Sequence, residues 1–143
     1  MLLLRLDEKA ASQGILQAAM HEFCESGHYD RHVGKMHRLF RRCMQTAIRA
    51  MRRHISPEWT EWTEPAGGFL VWLKLEPVSP SPEWTTLLAS HGVQTCSGRY
   101  FFCSETPETY IRLSMSTLNE EEIAEGIQRL GAALQSAYTR GRG

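Results

Sequence analysis

The sequence predicts an α+β domain, with a small antiparallel or mixed sheet of about three or four strands and helices packed on one face. Two observations predict it. Strong helical periodicity opens and closes the chain, and short alternating apolar runs lie between. Their order is helix, long helix, strand, helix, strand, loop, strand, helix, without an internal repeat. At 143 residues the chain suits one domain with room for a core.

Residues 8–25 read as a helix, with Ile15, Leu16, Ala19, Met20 and Phe23 near one face and "SGH" as the stop. Asp30 is the expected N-cap of a long helix over 31–54. Its apolar positions Val33, Met36, Phe40, Cys43, Ala47 and Met51 recur at steps of three and four, widened by Leu39, Met44 and Ile48. The loop "SPEWTEWTEP" leads through Gly67 and Gly68 into a strand. There Phe69, Val71, Leu73 and Leu75 alternate with Leu70, Trp72 and Lys74, which predicts burial on both faces.

"PEWTTLLASHG" predicts a short helix with Pro82 in its first turn and Gly92 at its end. "VQTC" predicts a short strand, and "SGRYFFCSETPET" an aromatic-rich loop. In the strand over 109–115, Ile111, Leu113 and Met115 share one face, while Tyr110, Arg112 and Ser114 share the other. The last helix starts at Asn119, with Glu122 completing a capping box, Leu118 placed to staple against Ile123, and a stripe of Ile123, Ile127, Leu130, Leu134 and Ala137. "YTRGRG" reads as a frayed tail.

Composition excludes several classes. Sixteen basic and sixteen acidic residues cancel, so net charge does not demand a polyanionic partner. "MLLLRL" is too short for a secretory core or a membrane span. An apolar opening of this kind fits an edge that another domain buries. Cys24, Cys43, Cys96 and Cys103 lack CxxC or Cys/His spacing, which fits reduced thiols in the cytoplasm and no metal. The long helix carries Arg31, Lys35, Arg38, Arg41, Arg42, Arg49, Arg52 and Arg53 on its polar side. That face is either solvated, turned to an acidic partner, or a nucleic-acid surface, the last without the aromatic interleaving of a known module.

Arg112 is the residue that asks for a function. A guanidinium in a strand is costly to desolvate unless an anion meets it. From the residues alone, an internal acid and a ligand carboxylate are equal candidates for that anion.

"ESGHYDRHVGKMHRLFRRC", "EPAGGFLVWLKLE", "SGRYFF" and "YIRLSMSTLNEEEIAEGIQRLGAAL" together resemble, in order and spacing, the C-terminal part of fold-type I pyridoxal-phosphate aminotransferases of class I/II. Within that class they are most similar to α-aminoadipate-type enzymes and the aminotransferase-like domains of MocR/GntR-type regulators. The resemblance implies residues 1–27 as a helix leading out of a large domain, 28–139 as the small domain and 140–143 as a tail. It implies that Arg112 binds the substrate α-carboxylate, with Gly67, Gly68 and Tyr100 near the substrate and Phe101 and Phe102 as further wall candidates. Leu70 stands where the family has an aromatic, and Ser97 where it has the proline of its "P-G-x-x-F" loop.

The resemblance also implies pyridoxal 5'-phosphate in a larger parent protein, an amino acid and 2-oxo acid as substrates, and a homodimer. It implies DNA as a partner only where the parent carries a winged helix-turn-helix. The lysines Lys9, Lys35 and Lys74 lack the family's Schiff-base setting. The chain alone is therefore expected to bind no cofactor, to be inactive in transamination, and to associate through Leu2, Leu3, Leu4 and the first helix.

Overall fold

The computed structural model describes residues 2–78, 81–104 and 109–140, with side chains from residue 14 onward. The chain forms two compact units, Met1–Arg38 and Leu39–Gly143.

The first unit holds α1 (Leu2–Glu25) and the opening of α2 (His28–His54). The first helix begins earlier than the predicted residue 8, since the leucine-rich start contains no breaker. Between the helices Gly27 takes a positive φ of 72°, which only glycine adopts without strain. The Ser26 hydroxyl meets His28 Nδ1 at 2.6 Å, and the Phe23 ring stacks on that imidazole. Asp30 lies in the first turn of α2 rather than at its N-cap, where its charge suits the helix dipole. Ile15, Leu16 and Met20 are exposed, while the side chains of Leu2, Leu3 and Leu4 lie outside the described residues.

The second unit is built on a four-stranded antiparallel sheet of order β1-β2-β4-β3. Its strands are β1 (Thr60–Glu61), β2 (Leu70–Leu75), β3 (Cys96–Ser97) and β4 (Thr109–Ser114). Val71, Leu73, Leu75, Ile111 and Leu113 form the inner face and are buried. They share one core with Cys43, Ala47 and Met51 of α2, Trp84 and Leu88 of α3 (Trp84–Ser90), and Ile123, Ile127, Leu130 and Leu134 of α4 (Glu120–Arg140). Within this unit α2, α3 and α4 therefore serve the same face of the sheet.

The predicted two-sided burial of β2 is corrected: Leu70 and Lys74 are half-buried and Trp72 is 38% exposed. No α-helix packs over that outer face among the described residues, so an apolar run here does not mark a strand covered on both sides. The strand predicted at "VQTC", residues 93–96, is instead Cys96–Ser97, and part of the predicted aromatic loop winds into a 3-10 turn at Gly98–Phe101.

The caps explain where helices start. Asn119 Oδ1 accepts from the amides of Glu121 and Glu122, and Glu122 Oε2 accepts from the Asn119 amide at 2.8 Å. The predicted capping box is therefore present in full. Glu83 caps α3 in place of the predicted Pro82 start, accepting from the Thr86 amide. At the other edge, Tyr138 stacks on Trp59, and its hydroxyl lies 2.9 Å from the Trp59 carbonyl and 2.6 Å from that of Glu76. This ties α4 to the β1–β2 hairpin.

Candidate functional site

The outer face of the sheet carries the candidate site. Alternation in β4 sends Ile111 and Leu113 into the core, which fixes Tyr110, Arg112 and Ser114 outward. A one-residue slip would bury the guanidinium and expose both aliphatics, so the core itself sets where the cation points. Arg112 pairs in register with Trp72 of β2 on one side and Cys96 of β3 on the other. Neither partner is a carboxylate.

The 3-10 turn completes the surroundings. A Cβ on Gly98 would lie 2.4 Å from Tyr110 Cβ and 3.0 Å from Trp72 Cζ3. Only glycine lets the turn press so closely onto the strands. The turn sets Phe101 with its ring centroid 4.4 Å from Arg112 Cζ, inside the range of a cation–π contact. Trp72 meets the same ring edge-on, with centroids 5.3 Å apart at 90°. Phe102 and Tyr110 also meet Trp72 edge-on and pack on each other, with centroids 5.1 Å apart.

Among the described residues no carboxylate forms a salt bridge with Arg112, and its Nε is buried without a hydrogen-bond partner. An unmet buried donor costs about 1–3 kcal/mol. The arrangement is chemically suited to binding a planar anion: a half-buried cationic fork beside aromatic rings, with no acid paired to it among the described residues.

The other candidates lie around this centre. Gly67 and Gly68 form the exposed turn into β2, with φ of 85° at Gly68 and open space where either Cβ would stand. The turn borders the far end of β4, where the Met115 amide donates to the Phe69 carbonyl. Tyr100 is 74% exposed, with Arg99 over its ring, and has no described contact with Arg112. Phe101, ranked behind Tyr100 from the sequence, is the aromatic that touches the guanidinium. Its signal was the "G-x-x-F" spacing. The groove beside the site, about 590 Å³, is lined by Trp62, Pro65, Leu70, Trp72, Lys74 and Tyr110. Lys74 is paired with Glu61 at 3.4 Å.

Elsewhere, part of the basic face of α2 is engaged within its own unit. Arg42 pairs with Glu120, Arg52 with Glu64, and Arg49 donates to the Thr46 hydroxyl. The four cysteines are free. Among the described residues there is no cluster of potential metal ligands and no helix long and apolar enough to cross a membrane.

Residues 4–130 match the family model for aminotransferase class I and II. The chain belongs to that family. This small-domain fold is 35% identical over 120 residues to 2-aminoadipate transaminase of Thermus thermophilus, covering 83% of this chain and 30% of that enzyme. The solved α-aminoadipate aminotransferase of that organism, complexed with N-(5'-phosphopyridoxyl)-L-leucine, superposes with a TM-score of 0.74 at 33% identity, over 85% of this chain and 31% of the enzyme. An uncharacterised HTH-type transcriptional regulator of Bacillus subtilis is 28% identical over 96% of this chain and 28% of its own length. The aminotransferase-family chain described here thus spans about a third or less of each of these relatives.

Proposed function

We propose that this chain is the substrate-closing small domain of a pyridoxal-phosphate-dependent aminotransferase, in which Arg112 grips the α-carboxylate of the amino acid. The observation that carries this reading is the Arg112 guanidinium, presented on the open face of the sheet beneath Phe101 with no acid partner among the described residues. A carboxylate in the plane of the fork accepts two parallel N–H bonds, which fixes both position and orientation of the substrate. Closure of the domain would exclude water and strengthen that pair. Gly67 and Gly68 would let backbone approach the substrate side chain, and Tyr100 would border it.

Pyridoxal phosphate supplies the electron sink of amino-group transfer when bound. Neither lysine with a described side chain fits its seat. Lys74 is ion-paired with Glu61, and Lys35 is exposed on α2. Cofactor binding and proton transfer at the substrate Cα therefore belong, in this reading, to a larger domain. That domain would also cover Ile15, Leu16 and Met20 of α1 in a cytoplasmic homodimer.

The test is Arg112→Ala in a protein that joins this chain to a cofactor-bearing large domain. Amino-acid binding should weaken by about 2–5 kcal/mol, the cost of breaking a buried charge-assisted pair. A change in kcat/KM of less than about tenfold (1.4 kcal/mol) removes Arg112 from the site.

A second reading has its own support in the regulator from Bacillus subtilis, which aligns with 96% of this chain. In it the same arginine holds an amino-acid effector without turnover, in a MocR-type regulator with a winged helix-turn-helix. Turnover of amino acid and 2-oxo acid by the complete protein separates the two.

A further inference from the structure

We propose that Phe101 is the positioning residue of the carboxylate clamp: its ring, braced by Trp72, holds the Arg112 guanidinium in one plane so that the fork meets an anion preorganised. The inference rests on the carboxylate reading above and adds a residue to it.

The geometry is a closed triangle. Arg112 and Trp72 are cross-strand partners, Arg112 Cζ lies over the Phe101 ring at 4.4 Å from its centroid, and Trp72 meets Phe101 edge-to-face at 5.3 Å. An edge-to-face aromatic pair is a favoured arrangement, so Trp72 limits how far Phe101 can swing. On the other side the backbone of the turn is pinned, because Gly98 lies against Tyr110 more closely than any side chain would permit. Phe101 is therefore fixed both through its chain and through its ring.

What the stack does for binding follows from the shape of the cation. A guanidinium is planar, with its N–H donors in the plane and its faces without donors. Covering one face with an aromatic ring removes none of the hydrogen-bonding edge. It does remove rotamer freedom from a long side chain, a cost otherwise met when the ligand arrives. Nε is buried without a partner. The terminal nitrogens carry no hydrogen bond to any described residue, which leaves them as the edge for a carboxylate. Aromatic contact with the ligand itself is a separate matter; the role assigned to Phe101 acts through Arg112.

The experiment uses the 143-residue chain, its Phe101→Leu and Phe101→Tyr variants, and acetate as the carboxylate probe, followed through the side-chain Nε–H signal of Arg112 by 15N NMR. In the wild type this signal should be displaced by the ring current, show a high order parameter, and be shifted by acetate. Phe101→Leu should abolish the displacement, mobilise the guanidinium, and weaken acetate binding by about three- to tenfold, the range a ring–cation contact supplies. Phe101→Tyr should restore all three. An Nε–H signal as ordered in the leucine variant as in the wild type, or unchanged acetate affinity there, overturns the positioning role and leaves the carboxylate reading standing. A ring-current displacement without any acetate response in the wild type overturns the carboxylate reading and reduces the stack to packing.

Discussion

Gly131 of α4 faces His54 at the end of α2 so closely that a Cβ at position 131 would stand 2.3 Å from the His54 carbonyl oxygen. The nearest atoms there are the His54 carbonyl and its Cβ, none of them the far end of a flexible side chain. Gly131→Ala should therefore destabilise the fold by about 1–3 kcal/mol, the usual cost of overpacking a tight core contact. Gly126, in the same helix, has open space at its Cβ position. Gly126→Ala should instead stabilise by about 0.5–1 kcal/mol through helix propensity. Urea midpoints of the two variants check this, and equal shifts would remove the close approach from the explanation.

Gly98→Ala should act on the site rather than on the core. The added methyl would meet Tyr110 and Trp72 and push the 3-10 turn away from the sheet. The near-UV circular dichroism of the aromatic cluster should change, and carboxylate binding should weaken with it. An unaltered aromatic spectrum would show that the turn can yield without moving the rings.

Glu83 gives the chain an acid-side dependence. Hydrogen bonds from Thr85, at 2.6 Å, and then from Thr86 hold its carboxyl down at about 2, against an ordinary 4.5. Its folded pKa is depressed, so its contribution is fully present above about pH 4.5 and is lost as pH falls toward 2. Glu83→Gln should flatten the fall in stability across that window, measured by thermal unfolding from pH 5 to pH 2 (the window those two values set). A wild-type slope retained in the variant would assign the acid loss to other carboxylates.

Tyr138 works at the opposite end. Burial, and then the charge of Glu76, push its hydroxyl up to about 12 from 10. The neutral phenol is the form the fold prefers, so its contribution is fully present below about pH 10 and is lost as pH rises toward 12. Tyr138→Phe should cost about 1–2 kcal/mol near neutrality, because carbonyls of Trp59 and Glu76 lose a donor. The same variant should lose part of the alkaline slope. Equal alkaline slopes in wild type and variant would place that titration elsewhere.

Much of this architecture was legible because it is local. The alternation of Ile111, Leu113 and Met115 against Arg112 follows from strand geometry, and the exchange between Asn119 and Glu122 needs only three residues of spacing. What escaped the sequence depends on distant partners. β1 is two residues long, too short for a period, and exists because Thr60 and Glu61 pair with Leu75 and Lys74. Trp72 reads as core by hydrophobicity alone, yet it faces outward to brace Phe101. The choice of Phe101 over Tyr100 as the ring on Arg112 depends on how Gly98 seats the turn, a contact between residues remote in sequence.

The division of labour between the two sides of one sheet has an evolutionary consequence. Alternate positions along β2 and β4 are answerable to different demands: every second residue maintains the scaffold, and those between face whatever the protein meets. Mutational drift on the outward set can retune selectivity, or silence turnover while keeping recognition, without endangering the frame beneath. A lineage that includes both transaminases and transcriptional regulators would draw on that freedom.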